Sequence, residues 1–165
     1  MYKHVLHNSS TGPQIYVNLI SSAAGHYLSR QPYLINIVIE ALDRPNYGPS
    51  KINVEYDMGR VIGHSDIVTT NEKDTIFYAK PVKLNSFTRF TKNRNPVPSN
   101  TLSLKLSKDD EGNYELFEAW IGPSTPPFPE NQDSPQRDKT FWQTHAHVFD
   151  SYNLQSKTIT KICPY

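Results

Sequence analysis

A chain of 165 residues with 17 Lys and Arg against 16 Asp and Glu is close to neutral, which excludes whole-molecule attraction to nucleic acid or to an anionic membrane surface. The length suits one domain with its own core, and ten Tyr with seven Phe point to an ordered domain with polar loops rather than a disordered chain. The one cysteine, Cys163, cannot close an intramolecular bridge and fits a reducing compartment, and no apolar run approaches the ~20 residues that span a bilayer.

Residues 1–13 read as a polar arm whose start, Met1-Tyr2-Lys3-His4, lacks the basic-then-apolar plan of a secretory signal, so a cytoplasmic location is expected. Residues 14–20 are rich in β-formers and predict a first strand. Ser21 and Ser22 are placed to cap a helix beginning at Ala23, and Pro32 suits the first turn of a second helix over 32–42. There Leu34, Ile35, Val38, Ile39 and Leu42 follow helical spacing, with a buried strand as the competing reading because so many neighbours are β-branched. The prolines at 45 and 49 end that element. Strands are expected at 51–56, at 60–68 with a bulge at Gly63, and at 75–79, 101–106 and 114–121, with a hairpin turn over 109–113. In 101–106 the alternation points Leu102, Leu104 and Leu106 to the core and Thr101, Ser103 and Lys105 to the other face. Residues 122–135 form a Pro-rich loop, 136–149 stay open between helix and strand, and 158–163 read as a last strand. The fold class that follows is α+β: one or two N-terminal helices packed on an antiparallel sheet of about five or six strands, in a single domain over 1–165.

Charge is segregated locally. Between Lys80 and Lys108 there is no Asp or Glu, while Lys80, Lys83, Arg89, Lys92, Arg94, Lys105 and Lys108 are all present. Then follow Trp120-Ile121-Gly122, Pro126-Pro127-Phe128-Pro129 and Phe141-Trp142 with His145 and His147. The succession Gly63-His64, Asp66-Ile67-Val68, Tyr78-Ala79-Lys80, Thr88 to Arg94 and Ala119 to Gly122, closing on Phe141-Trp142 and His145-Ala146, resembles a group of small uncharacterised bacterial proteins. The tail also resembles that of small toxin nucleases of the barnase, EndoU, colicin and RelE-like grouping. That resemblance implies helices on an antiparallel sheet, and metal-independent RNA cleavage through the substrate's own 2′-hydroxyl. It also implies a cognate inhibitor protein as a partner.

Such cleavage needs a base, an acid and fixed positive charge. His26, His64 and His145 are the candidates for proton transfer, because imidazole titrates near neutrality. Arg89 is the candidate cation for the scissile phosphate, with Lys92 and Arg94 as further phosphate contacts, because guanidinium offers paired donors. Thr101, Ser103 and Tyr78 are candidate ligand-binding groups. The expected partner is RNA or another phosphate-bearing ligand, with no metal and no cofactor. Competing readings stand beside this one. His145 and His147, if extended, face one side and hold a metal together with Asp150 or His64. His145 instead hydrogen-bonds the proline loop beneath Trp142. The proline loop, with Phe128, docks a protein partner. Phe87 and Phe90 anchor a hairpin rather than stack bases.

Overall fold

Leu102, Leu104 and Leu106 lie on an inner strand of the larger sheet, and their alternation with polar residues sets the side that carries the core. The computed structural model describes residues 3–8, 12–43, 51–82, 84–149, 154 and 158–165. Among the described residues the strands are β1 (Lys3–His7), β2 (Ile15–Asn18), β3 (Lys51–Asp57), β4 (Gly63–Ser65), β5 (Ile67–Thr69), β6 (Ile76–Ala79), β7 (Thr88–Thr91), β8 (Val97–Ser99), β9 (Thr101–Lys108), β10 (Tyr114–Ile121) and β11 (His145–Val148). The helices are α1 (Ala23–Arg30), α2 (Leu34–Leu42) and α3 (Gln136–Thr144). The class is α+β. The chain divides into two compact units: Met1–Gly63 with Pro98–Ser124, and His64–Val97 with Thr125–Tyr165.

The first unit holds a five-stranded sheet in the order β1–β2–β10–β9–β3. All its pairs are antiparallel except β10 with β2, which is parallel. Helices α1 and α2 supply Leu28, Leu34, Val38 and Leu42 to a core shared with Ile15, Val17, Leu104 and Leu116. Ser22 caps α1, its hydroxyl accepting from the Gly25 amide at 2.9 Å, which answers one of the orphan donors of the first turn. Gly25 lies so close to the end of β2 that a Cβ there would stand 2.2 Å from the Asn18 carbonyl oxygen. In α2, helical spacing wins over β-branching because Leu34, Val38, Ala41 and Leu42 form one buried face. The expected N-terminal arm differs from the structure, since Lys3–His7 pairs with β2 and buries Leu6. The turn at 109–113 is held by Asp109, whose carboxylate accepts from the Glu111 and Asn113 amides, and Gly112 takes φ 86°. Strands β4 and β8 form a two-stranded sheet of their own. The proline segment 45–49 lies outside the described residues.

The second unit holds a four-stranded sheet in the order β5–β11–β7–β6, with β11 antiparallel to β5 and parallel to β7. The segment left open at 136–149 is helix and then strand: α3 ends at Thr144, and His145 already has extended backbone at φ −125°, ψ 152°. The expected last strand at 158–163 is reduced to one bridge, Thr160 opposite Tyr78. Beside β1, strands β7 and β8 were not anticipated, and β7 is the one that orients the site.

Candidate functional site

Alternation along β7 sends Phe90 to one face of the four-stranded sheet and Arg89 to the other. The Phe90 face is apolar. Phe77 stacks on Phe90 at 5.3 Å, His147 stacks on Trp142 at 5.4 Å, and Phe128 meets Trp142 at 4.6 Å. Trp142 is fully buried, and its indole N–H is shared between the carbonyls of Pro126 and Pro127 at 3.2 Å each. The proline loop is thus tied down by Trp142, not by His145, and its Phe128 is turned onto the unit's own aromatic cluster. Burial among these rings pushes the His147 imidazole down to about 4, so it is neutral at physiological pH.

His145 shares that face, two residues before His147 on the same strand. Its ring lies flat on Phe141, with centroids 4.1 Å apart. Its Nδ1 lies 3.0 Å from the Phe141 carbonyl and 2.9 Å from the Thr144 hydroxyl. Among the described residues no three His, Cys, Asp or Glu side chains gather to hold a metal, and Asp150 lies outside them.

The opposite face carries the polar cluster. Arg89 is half-buried; its Nη1 donates to the Thr70 hydroxyl at 2.7 Å and to the His145 backbone carbonyl at 3.2 Å. The guanidinium stands beside the phenol of Tyr78, its cross-strand neighbour. Tyr165 packs edge-on against Tyr78 with centroids 5.7 Å apart. Burial and the Cys163 thiol raise the Tyr78 phenol, against the lowering effect of Arg89, and burial raises Tyr165 as well. Both phenols therefore keep their protons at neutral pH. Two donors in this cluster are buried without an acceptor among the described residues, Arg89 Nε and the Tyr165 hydroxyl. No carboxylate among the described residues forms an ion pair with Arg89.

The other candidates are placed as follows. Arg94 is committed to Asp74, whose carboxylate side chain is 2% exposed, and it also donates to the Thr69 carbonyl. Lys92 is exposed, with its ammonium 5.1 Å from the Phe77 ring centroid. His64 is exposed on β4. In the first unit, His26 is exposed on α1 and its Nε2 bonds the Ile20 carbonyl. Ser103 is on the face expected for it, yet it is completely buried and donates to the Gly122 carbonyl at 2.7 Å, so it has no donor left for a phosphate. Thr101 is half-buried at the start of β9. The acid-free run itself divides: Lys80, Arg89, Lys92 and Arg94 belong to the second unit, Lys105 and Lys108 to the first, and Lys83 lies outside the described residues.

The structure thus brings together Arg89 and Tyr78, and adds Thr70 and Tyr165, which the sequence reading missed. Neither carried a signal of its own: Thr70 reads as a loop residue after a strand, and Tyr165 packs on Tyr78 beside the Tyr78–Thr160 bridge, a pairing distant in sequence. His145 joins the cluster by its backbone carbonyl alone, with its imidazole on the other face. Comparison with protein-family models, curated proteins and solved structures gives no match for this chain.

Proposed function

We propose that the second unit binds a phosphate-bearing ligand through Arg89, with Tyr78 beside it. One observation carries the reading: a half-buried guanidinium for which the described residues supply neither an acceptor at Nε nor a neutralising carboxylate. A buried donor left unfilled costs about 1–3 kcal/mol, and more when the group is charged. An oxyanion supplies the missing acceptor and the missing charge together. Thr70 and the His145 carbonyl hold the guanidinium through Nη1, so the ligand meets a donor already oriented. RNA, which carries such phosphates, is the partner class first to be tried.

The reading is binding rather than cleavage. A general base and acid must come within hydrogen-bond reach of the same phosphate. The His145 imidazole faces away from the Arg89 guanidinium, and His147 is enclosed by Trp142, Phe90 and Phe128. The raised phenols of Tyr78 and Tyr165 are poorly matched to proton transfer at neutral pH.

The test is an NMR titration of the whole protein with inorganic phosphate, and with a short RNA bearing or lacking a terminal phosphate. Arg89→Gln is expected to weaken phosphate binding by about tenfold or more, the value of one charge-assisted hydrogen bond. Lys92→Gln should change it little, because an exposed charge is screened. Equal affinity in a natively folded Arg89→Gln variant, or no binding by the wild type, overturns the proposal. So does RNA cleavage that survives Arg89→Gln.

A further inference from the structure

We infer that the Arg89 face of the second unit takes two successive phosphates of a single nucleic-acid strand, with Lys80 as the second cationic contact. The inference rests on the phosphate-binding reading above and extends it along the β6–β7 hairpin. In the register of that hairpin Arg89 stands opposite Tyr78, and Thr88 stands opposite Ala79. One further step sets Phe87 opposite Lys80, and the Lys80 ammonium does stand 5.0 Å from the Phe87 ring centroid. Phe77, Ala79 and Phe90 point into the apolar cluster, so alternation brings Lys80 and Phe87 to the other face, beside Tyr78 and Arg89.

Each cross-strand row on this face pairs one cation with one ring: Arg89 with Tyr78, and Lys80 with Phe87. Lys80 is diagonal to Arg89, which sets their Cβ atoms about 7 Å apart. No carboxylate among the described residues forms an ion pair with either of them. The connection 81–86 between the two strands contains no Asp or Glu. The Phe87 ring attracts the ammonium without cancelling its charge, as the Thr70 hydroxyl and the His145 carbonyl orient the guanidinium without cancelling its own. Two like charges on neighbouring rows repel each other, and a ligand with two linked anionic groups relieves both at once. Tyr78 is buried, so the half-buried Phe87 is the ring left near the surface. Cations that track a backbone beside a reachable ring suit a single strand, whose phosphates alternate with flat bases. A bare phosphate fills only the Arg89 half.

The salt dependence of oligouridine binding to the full chain tests this, because it counts contacts. Each phosphate neutralised on a single strand steepens the fall of log affinity with log salt by about 0.7. Lys80→Gln is expected to flatten that slope by about 0.7 and to weaken oligouridine binding about fivefold at low salt. Inorganic phosphate, which needs Arg89 alone, should bind this variant as it binds the wild type. Lys92→Gln is the control: it removes an equal charge from beside Phe77, on the opposite face, and should leave the slope unchanged. Equal effects of Lys80→Gln and Lys92→Gln would reveal general attraction to charge and overturn the inference. So would an equal loss of inorganic phosphate binding in Lys80→Gln, or a peptide with two phosphoserines that binds as tightly as oligouridine. The two readings fail separately: oligouridine binding that depends on Arg89 but not on Lys80 keeps the site and removes the second contact, whereas indifference to Arg89→Gln removes the site.

Discussion

Lowering the pH should destabilise this protein through His147. The imidazole lies among Trp142, Phe90 and Phe128, is 7% exposed, and is pushed down to about 4 by burial. In an unfolded chain it titrates near 6.5. The unfolded state therefore takes up the proton first, so the stability tied to the neutral ring is complete above about pH 6.5 and drains away as the pH falls toward about 4. At ~1.4 kcal/mol per pH unit across that window, the loss approaches about 3 kcal/mol. Against a total stability of about 5–15 kcal/mol, that is a large fraction. Denaturant unfolding, followed by tryptophan fluorescence over a pH series, measures it in the wild type and in His147→Phe. The phenylalanine keeps a ring in the cluster and removes the proton site, so other carboxylates and histidines cancel in the difference between the two proteins. That difference should move against the wild type by about 3 kcal/mol between neutral pH and about pH 4. A difference that stays flat would mean that the native ring is protonated as readily as a free one, and the burial argument would fail.

Two further substitutions probe packing. Gly25→Ala should lower stability by about 2 kcal/mol, because its Cβ would meet the Asn18 carbonyl and the Leu19 Cα, backbone atoms that cannot swing away. The ~1 kcal/mol gain in helix propensity does not offset this, and an unchanged melting temperature would refute it. Thr88→Val should be neutral or stabilising by about 1 kcal/mol, because the buried Thr88 hydroxyl has no partner among the described residues and valine keeps the shape in a strand. A clear loss in the same melting assay would show that the hydroxyl is bonded.

Much of the first unit was legible because its signals are local. The leucine alternation of 101–106, the helical spacing of 34–42 and the Asp109-to-Asn113 turn each need only a few consecutive residues, and each element appears where its pattern lies. The second unit was harder because its elements are short and their pairing is distant. Thr88–Thr91 is a four-residue strand in which Arg89 draws attention as a charge, although Thr88, Phe90 and Thr91 are buried. The segment 136–149 gave conflicting periods because it is two elements joined without a loop. The helix takes Trp142 inward, and then the strand takes Ala146 and His147. No local pattern announces that β11 lies between β5 and β7, or that β2 runs parallel to β10.

The acid-free run shows how pairing decides what a charge does. A stretch without Asp or Glu in sequence is not without them in space, because antiparallel neighbours bring their own. Lys105 stands directly opposite Glu118 in the β9–β10 register, and the two meet at 2.9 Å. Arg94 is answered by Asp74, from the turn before β6. Lys80 and Lys92 lie over the rings of Phe87 and Phe77. Arg89 differs because its cross-strand partner is Tyr78, and the groups that Nη1 bonds are a hydroxyl and a carbonyl, which orient a guanidinium without cancelling its charge. A one-residue slip between β6 and β7 would turn Tyr78 to the other face and leave Arg89 beside Phe77 or Ala79. On the proposed reading, phosphate binding through Arg89 depends on this one register, and any substitution that shifts it should abolish that binding even with every cation of the run still present.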